Sequence, residues 1–167
     1  MAKSETLKIA ISACLLGEAV RYDGTSKSHD VIRQFIVPYI DVVPICPEVG
    51  AGLGVPRETI QLVKINEQIR VRNVLHPELD VTDSLTEYAL KILSEHTDLR
   101  ALIVKARSPS CGLVSTPILE NGQIAEYGAG QFSHAIKTQR TDLLIVEENQ
   151  LDNRNACEKF LGQLRNY

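Results

Sequence analysis

Cys14, Cys46 and Cys111 occupy the same kind of place in the chain: each closes a run of apolar, largely β-branched residues and is followed by turn-forming sequence. The runs are Leu7 to Ala13, Val42 to Ile45 and Ala101 to Ala106; the turns are Leu15-Leu16-Gly17, Pro47-Glu48-Val49-Gly50 and Gly112. Continuous apolar runs of this length read as strands buried on both faces of a parallel sheet. Ligands of such sheets bind outside the carboxyl ends of the strands. Three thiols from distant parts of the chain therefore converge at one sheet edge, the geometry of a metal or iron–sulfur site. A single cysteine there is more simply a small buried hydrophobe; three, each beside a polar or glycine-rich turn, weigh the other way. No close C-x-x-C pair supports the set, because the three are separated by 32 and 65 residues.

The neighbours of the thiols carry chemistry of their own. Cys46-Pro47-Glu48 sets a carboxylate two residues from a thiol, and Ser108-Pro109-Ser110-Cys111-Gly112 sets two hydroxyls beside another. The prolines stiffen these turns and Gly112 frees its backbone, so the loops are built to hold side chains in place. Lys105 and Arg107 add positive charge, and cations lower a thiol pKa toward the thiolate that binds metal. Arg21, Asp23 and Arg57 are candidates to hold a planar or anionic substrate, since arginine presents a planar donor fork; each alone is equally an ordinary turn residue. Gly50-Ala51-Gly52-Leu53-Gly54 has neither P-loop nor dinucleotide spacing. His29, His76, His96 and His134 show no metal-binding spacing, and Cys157 follows no strand; all five read as structural or surface residues.

The positioning elements follow from periodicity. Strands are expected over 7–13, 42–46, 101–106 and 142–146. Residues 60–65 and 69–74 form a hairpin, and Asn121-Gly122 marks a tight turn between short extended pieces. Helices are expected over 27–39, from the stretch 80–84 onward (with Ser84 and Glu87 at capping-box spacing), over 131–139 and over 153–164. Strand–helix alternation gives a single α/β domain over 1–167: a mainly parallel, Rossmann-like sheet flanked by helices, with a β-hairpin insertion.

With 167 residues, 44% of them hydrophobic, the chain can bury a substantial core. A net charge of −3, no Trp and only three Phe argue against a nucleic-acid polymer as partner. No segment approaches a membrane span and the N-terminus has no secretory signal pattern, so a cytoplasmic location is the expectation. In that reducing compartment the cysteines are thiols or ligands rather than disulfides.

Taken together, Ser12-Ala13-Cys14-Leu15-Leu16-Gly17, Arg21-Tyr22-Asp23-Gly24, Cys46-Pro47-Glu48-Val49, Gly52-Leu53 with Pro56-Arg57, and Lys105 through Gly112 resemble the DUF523 family, which includes the thiouracil desulfidases. The motifs run in order from residue 7 to about 148, leaving a C-terminal helix near 153–165. The resemblance implies a [4Fe-4S] cluster on Cys14, Cys46 and Cys111 with one iron open, and non-redox conversion of C=S to C=O in a small thiolated substrate such as thiouracil. Glu48 then serves as general acid/base, Ser110 and less directly Ser108 position water or substrate, and Arg21, Asp23 and Arg57 bind substrate. Many members carry a further cysteine where this chain has Val20; three ligands remain without it. A cluster or sulfur carrier without turnover is the alternative, and a metal-free thiol nucleophile a third, for which no adjacent base is visible.

Overall fold

The computed structural model describes residues 5–166. In chain order the strands are β1 (Lys8–Ser12), β2 (Asp41–Ile45), β3 (Ile60–Ile65), β4 (Gln68–Asn73), β5 (Leu99–Val104), β6 (Thr116–Glu120), β7 (Gln123–Gly128) and β8 (Leu144–Glu147). The helices are α1 (Asp30–Phe35), α2 (Pro47–Gly50), α3 (Thr82–Glu95), α4 (Gln131–Gln139) and α5 (Arg154–Arg165). Among the described residues none is long and apolar enough to cross a membrane.

β2, β1, β5 and β8 form an all-parallel sheet in that order. Its central strands are buried on both faces because their side chains alternate between two apolar layers. Ile9, Ile11, Ala101 and Ile103 pack toward Ile32 of α1 and Phe160, Leu161 and Leu164 of α5. Ala10, Leu102 and Val104 pack toward Ala89 and Ile92 of α3 and Phe132 and Ile136 of α4. Cys157 lies fully buried in the first layer, as a core residue.

The hairpin is more than an insertion. β3–β4 turns through Asn66-Glu67 and β6–β7 through Asn121-Gly122, all four at positive φ, as two-residue hairpins require. β3 and β6 then pair in parallel, joining the hairpins into a second four-stranded sheet, β4-β3-β6-β7. Leu62, Val71 and Ile118 bury one face of it against Leu85 of α3.

Several boundaries differ from the expected ones for local reasons. The helix expected over 27–39 is only α1, followed by a 3₁₀ turn (Val37–Tyr39). Residues 27–29 are held extended by Lys27 N–H donating to the Cys14 carbonyl and His29 N–H to that of Leu15, and His29 Nδ1 then caps α1 by accepting from Ile32 N–H. The Ser84–Glu87 capping box does not form, because α3 has already begun at Thr82; Asp80 accepts from Thr82 N–H instead. β8 starts at Leu144 rather than 142, since Arg140 holds Asp142 in a turn by two hydrogen bonds of 2.8 and 2.7 Å. β5 likewise runs 99–104 instead of 101–106.

Candidate functional site: three thiols around one cavity

Beyond the carboxyl ends of β1, β2 and β5 lies a cavity of about 480 Å³. Eight of the nine candidate residues line it: Cys14, Cys46, Cys111, Glu48, Ser108, Ser110, Arg21 and Arg57. Asp23 does not. It is exposed, and its Oδ1 accepts from the backbone N–H and hydroxyl of Thr25 at 3.0 and 2.6 Å, which lowers its pKa.

Each thiol is delivered differently. Cys14 sits in a 3₁₀ turn (Ala13–Leu16) that continues β1 and ends on left-handed Gly17. Cys46 is the residue between β2 and α2, where Pro47 starts the helical turn. Cys111 stands seven residues past β5, in a loop that folds back onto the sheet edge. Cys14 and Cys111 are buried and Cys46 is half-buried. As thiolates they would repel one another, Cys14 against Cys46 and Cys111 against Cys14.

Burial reverses the expected thiol acidity. Desolvation pushes Cys14 up to about 11 and Cys111 up to about 12, and raises Cys46 as well. Lys105 and Arg21 work against this at Cys14, Arg57 at Cys46, and hydrogen bonds from Ser12 and Ser110 at Cys111, but the loss of water outweighs them. Without a metal the site therefore stores thiols, and a bound cation is what turns them into thiolates.

Glu48, Arg57 and the serines form one chain of contacts. Arg57 Nε and Nη2 both lie 2.6 Å from Glu48 Oε2, and Nη1 donates to the Gly54 carbonyl at 2.9 Å. Glu48 Oε1 accepts from Ser110 Oγ at 3.1 Å, and the Ser110 and Ser108 hydroxyls are 3.0 Å apart. Ser108 Oγ accepts from the backbone N–H groups of Ser110 and Cys111. Its own proton is thus free to point to Ser110, whose single proton reaches Glu48 Oε1 at 3.1 Å or, alternatively, Cys111 Sγ at 3.7 Å; in the first orientation the hydroxyls form a relay Ser108 to Ser110 to Glu48.

The loop carrying these groups is clamped by residues the sequence did not advertise. Glu147 Oε1 accepts from Leu113 N–H, Val114 N–H and Ser115 Oγ, and Glu148 Oε2 accepts from Ala106 N–H at 2.6 Å. Two successive carboxylates at the end of β8 thus grip both ends of the Cys111 loop. Ser133 Oγ donates to the Cys111 carbonyl, and the first N–H groups of α4 donate to the Pro109 and Ser110 carbonyls. Gly130 allows that approach: a Cβ there would lie 2.5 Å from the Ser110 carbonyl. Glu-Glu at a strand end is the signal that could have revealed the clamp, since a buried carboxylate requires such partners.

Three soft thiol donors on one cavity, with no fourth cysteine on its wall, suit a thiolate-binding metal centre that keeps an open position. Among the described residues no three Cys, His, Asp or Glu side chains close around a single ion.

The fold and the cavity define an α/β protein with an open, three-thiol pocket flanked by a carboxylate–serine relay. The model of the 2-thiouracil desulfurase family matches residues 9–149, and the chain belongs to that family of enzymes. Among solved structures it is similar to TudS, a [4Fe-4S]-dependent thiouracil desulfidase, with 30% identity, 94% of this chain and 99% of that chain covered, and a TM-score of 0.67. It is also 28% identical over 155 residues to the uncharacterized protein YbbK of Bacillus subtilis (strain 168), covering 86% of this chain and 97% of the relative.

Proposed function

We propose that this protein is a desulfidase that hydrolyses the thiocarbonyl of a thiouracil-type substrate, using a [4Fe-4S] cluster held by Cys14, Cys46 and Cys111. The observation that carries this reading is the shared cavity, lined by three thiols and by the Glu48–Ser110 pair. When bound, such a cluster supplies a soft Lewis acid for the thiocarbonyl sulfur. The overall change replaces C=S and water with C=O, hydrosulfide and a proton, with no net oxidation.

The chain's own groups supply the proton handling. Glu48 Oε1 faces Ser110 at the cavity wall and takes a proton from the attacking water or returns one to a ring nitrogen. Ser110 orients the water, and Ser108, whose own hydrogen bonds are all engaged, holds Ser110 in place. Arg57 is engaged on Glu48, so it acts on the substrate through the carboxylate. Arg21, which faces the cavity beside Tyr22, is the better direct substrate contact. A carrier module has no use for a hydroxyl–carboxylate relay, which favours the enzyme. The test is anaerobic reconstitution with iron and sulfide followed by a sulfide-release assay on 2-thiouracil and 4-thiouracil. Stoichiometric iron uptake with catalytic sulfide release supports the desulfidase; iron uptake with no turnover supports the carrier.

A further inference from the structure

Lys105 lies directly after β5 and lines the same cavity as the three cysteines. Its Nζ is 2.7 Å from Glu148 Oε1 and donates to the Ala106 carbonyl at 3.2 Å. An ammonium has three N–H donors, so one remains for a ligand. Glu148 is buried and is not part of the cavity wall, and its other oxygen is fixed on Ala106 N–H. The pair is therefore a fixed dipole with its cation on the cavity side. Its position is tied further by Lys105 N–H donating to Ser12 Oγ at 3.0 Å.

The other cations on the wall are not held this way. Arg57 is occupied by Glu48. Arg21, Lys27 and Arg107 line the cavity without a side-chain hydrogen bond among the described residues. A fixed cation in a half-buried cavity needs no reorganisation when charge develops, which is where electrostatic catalysis is strongest.

We propose that Lys105 is a further catalytic residue of this site, its ammonium stabilising the negative charge that collects on the substrate's sulfur as the C–S bonds break, with Glu148 as its positioning residue. The proposal rests on the desulfidase reading. As water's oxygen bonds to carbon, the C–S electron pairs move to sulfur, which leaves as hydrosulfide; the second water proton goes to the relay or to solvent. Hydrosulfide is an anion at neutral pH, and Lys105 is the anchored cation on the wall of the cavity that holds the three cysteines.

The test uses iron-loaded wild type, K105M, K105R, E148Q and the double variant K105M/E148Q. For each, iron per chain, kcat and KM for 2-thiouracil are measured, together with a titration by sodium sulfide followed in visible absorbance. K105M is expected to keep its iron, to lose about 100-fold in kcat with KM changed less than about threefold, and to bind hydrosulfide about tenfold more weakly. K105R restores a tenth or more of kcat, and E148Q costs about tenfold alone but nothing more in the K105M background. K105M at wild-type kcat and sulfide affinity would overturn the proposal while leaving the desulfidase standing. So would loss of iron from K105M that K105R restores, which makes Lys105 a structural cation. A wild type that loads iron and releases no sulfide from either thiouracil overturns the desulfidase reading, and this proposal with it.

Discussion

Arg57 grips one oxygen of Glu48 and leaves the other to Ser110: Nε and Nη2 both reach Oε2 at 2.6 Å, while Oε1 accepts the serine hydroxyl at 3.1 Å. The two side chains are only 7% and 15% exposed, so the pair is little screened and its geometry is fixed. Of the two carboxylate oxygens, the one facing the relay is the one free to exchange protons.

Glu48→Gln preserves the shape of this arrangement and removes the base. It is expected to lower kcat for sulfide release by about 100-fold or more, with iron content and visible absorbance unchanged. Arg57→Lys breaks the two-pronged grip and is expected to cost about tenfold in kcat through Glu48, as steady-state kinetics on iron-loaded protein would show.

The two serines are separable. Ser110 touches Glu48, whereas Ser108 also accepts two backbone N–H groups that shape the Cys111 turn. Ser110→Ala should lower kcat while leaving thermal stability near wild type. Ser108→Ala should lower both, with a stability loss of about 1–3 kcal/mol by denaturant titration, because its backbone partners are left unsatisfied.

Replacing Cys14, Cys46 or Cys111 by Ala should abolish stable iron uptake, read as iron per chain after anaerobic reconstitution and desalting. Cys157→Ala should leave iron uptake intact and cost about 1 kcal/mol of stability, since Cys157 is a fully buried core residue.

The raised thiol pKa values make the metal-free protein sensitive to alkali. Cys14 and Cys111 titrate near 11 and 12 when folded, against an ordinary value of 9.0, so the folded state keeps its protons where the unfolded chain loses them. Their contribution is fully present below pH 9 and is lost as pH rises from 9 through 11 to 12, on the order of 2 kcal/mol for Cys14 alone. Denaturant midpoints of metal-free protein should therefore fall above pH 9. Iron-loaded protein, whose thiolates carry no protons, should show a flatter profile.

Gly130 is expected to be intolerant of a side chain. A Cβ there meets the Ser110 carbonyl at 2.5 Å, so Gly130→Ala must push the Cys111 loop off the N-terminus of α4. Stability measurements should show a loss of about 1–3 kcal/mol, and iron uptake should fall in parallel.

The parallel sheet was legible because its strands are continuous apolar runs, and that rule alone placed Cys14 and Cys46 at the sheet's carboxyl edge, whereas Cys111 reaches it through a loop seven residues past β5. Nearby pairs were half legible: Arg57 and Glu48 stood nine residues apart as separate candidates, and nothing local showed that one would hold the other. The second sheet was hidden because each hairpin announces its own turn, at Asn66 and Asn121, while the β3–β6 pairing that joins them spans more than 50 residues. Thiol acidity was misjudged because charge is visible in sequence and desolvation is not. Glu147 and Glu148 went unmarked, since their partners at Ala106 and Leu113 to Ser115 lie on another loop.

The most direct test follows the oxygen. Iron-loaded protein is incubated anaerobically with 2-thiouracil in ¹⁸O-water, without electron donor or acceptor, and product mass and released sulfide are measured together. A hydrolytic desulfidase yields uracil carrying one ¹⁸O per molecule and one sulfide per uracil, over many turnovers. Iron-loaded protein that forms no uracil, or forms it only when an electron donor or acceptor is supplied, would contradict the desulfidase reading.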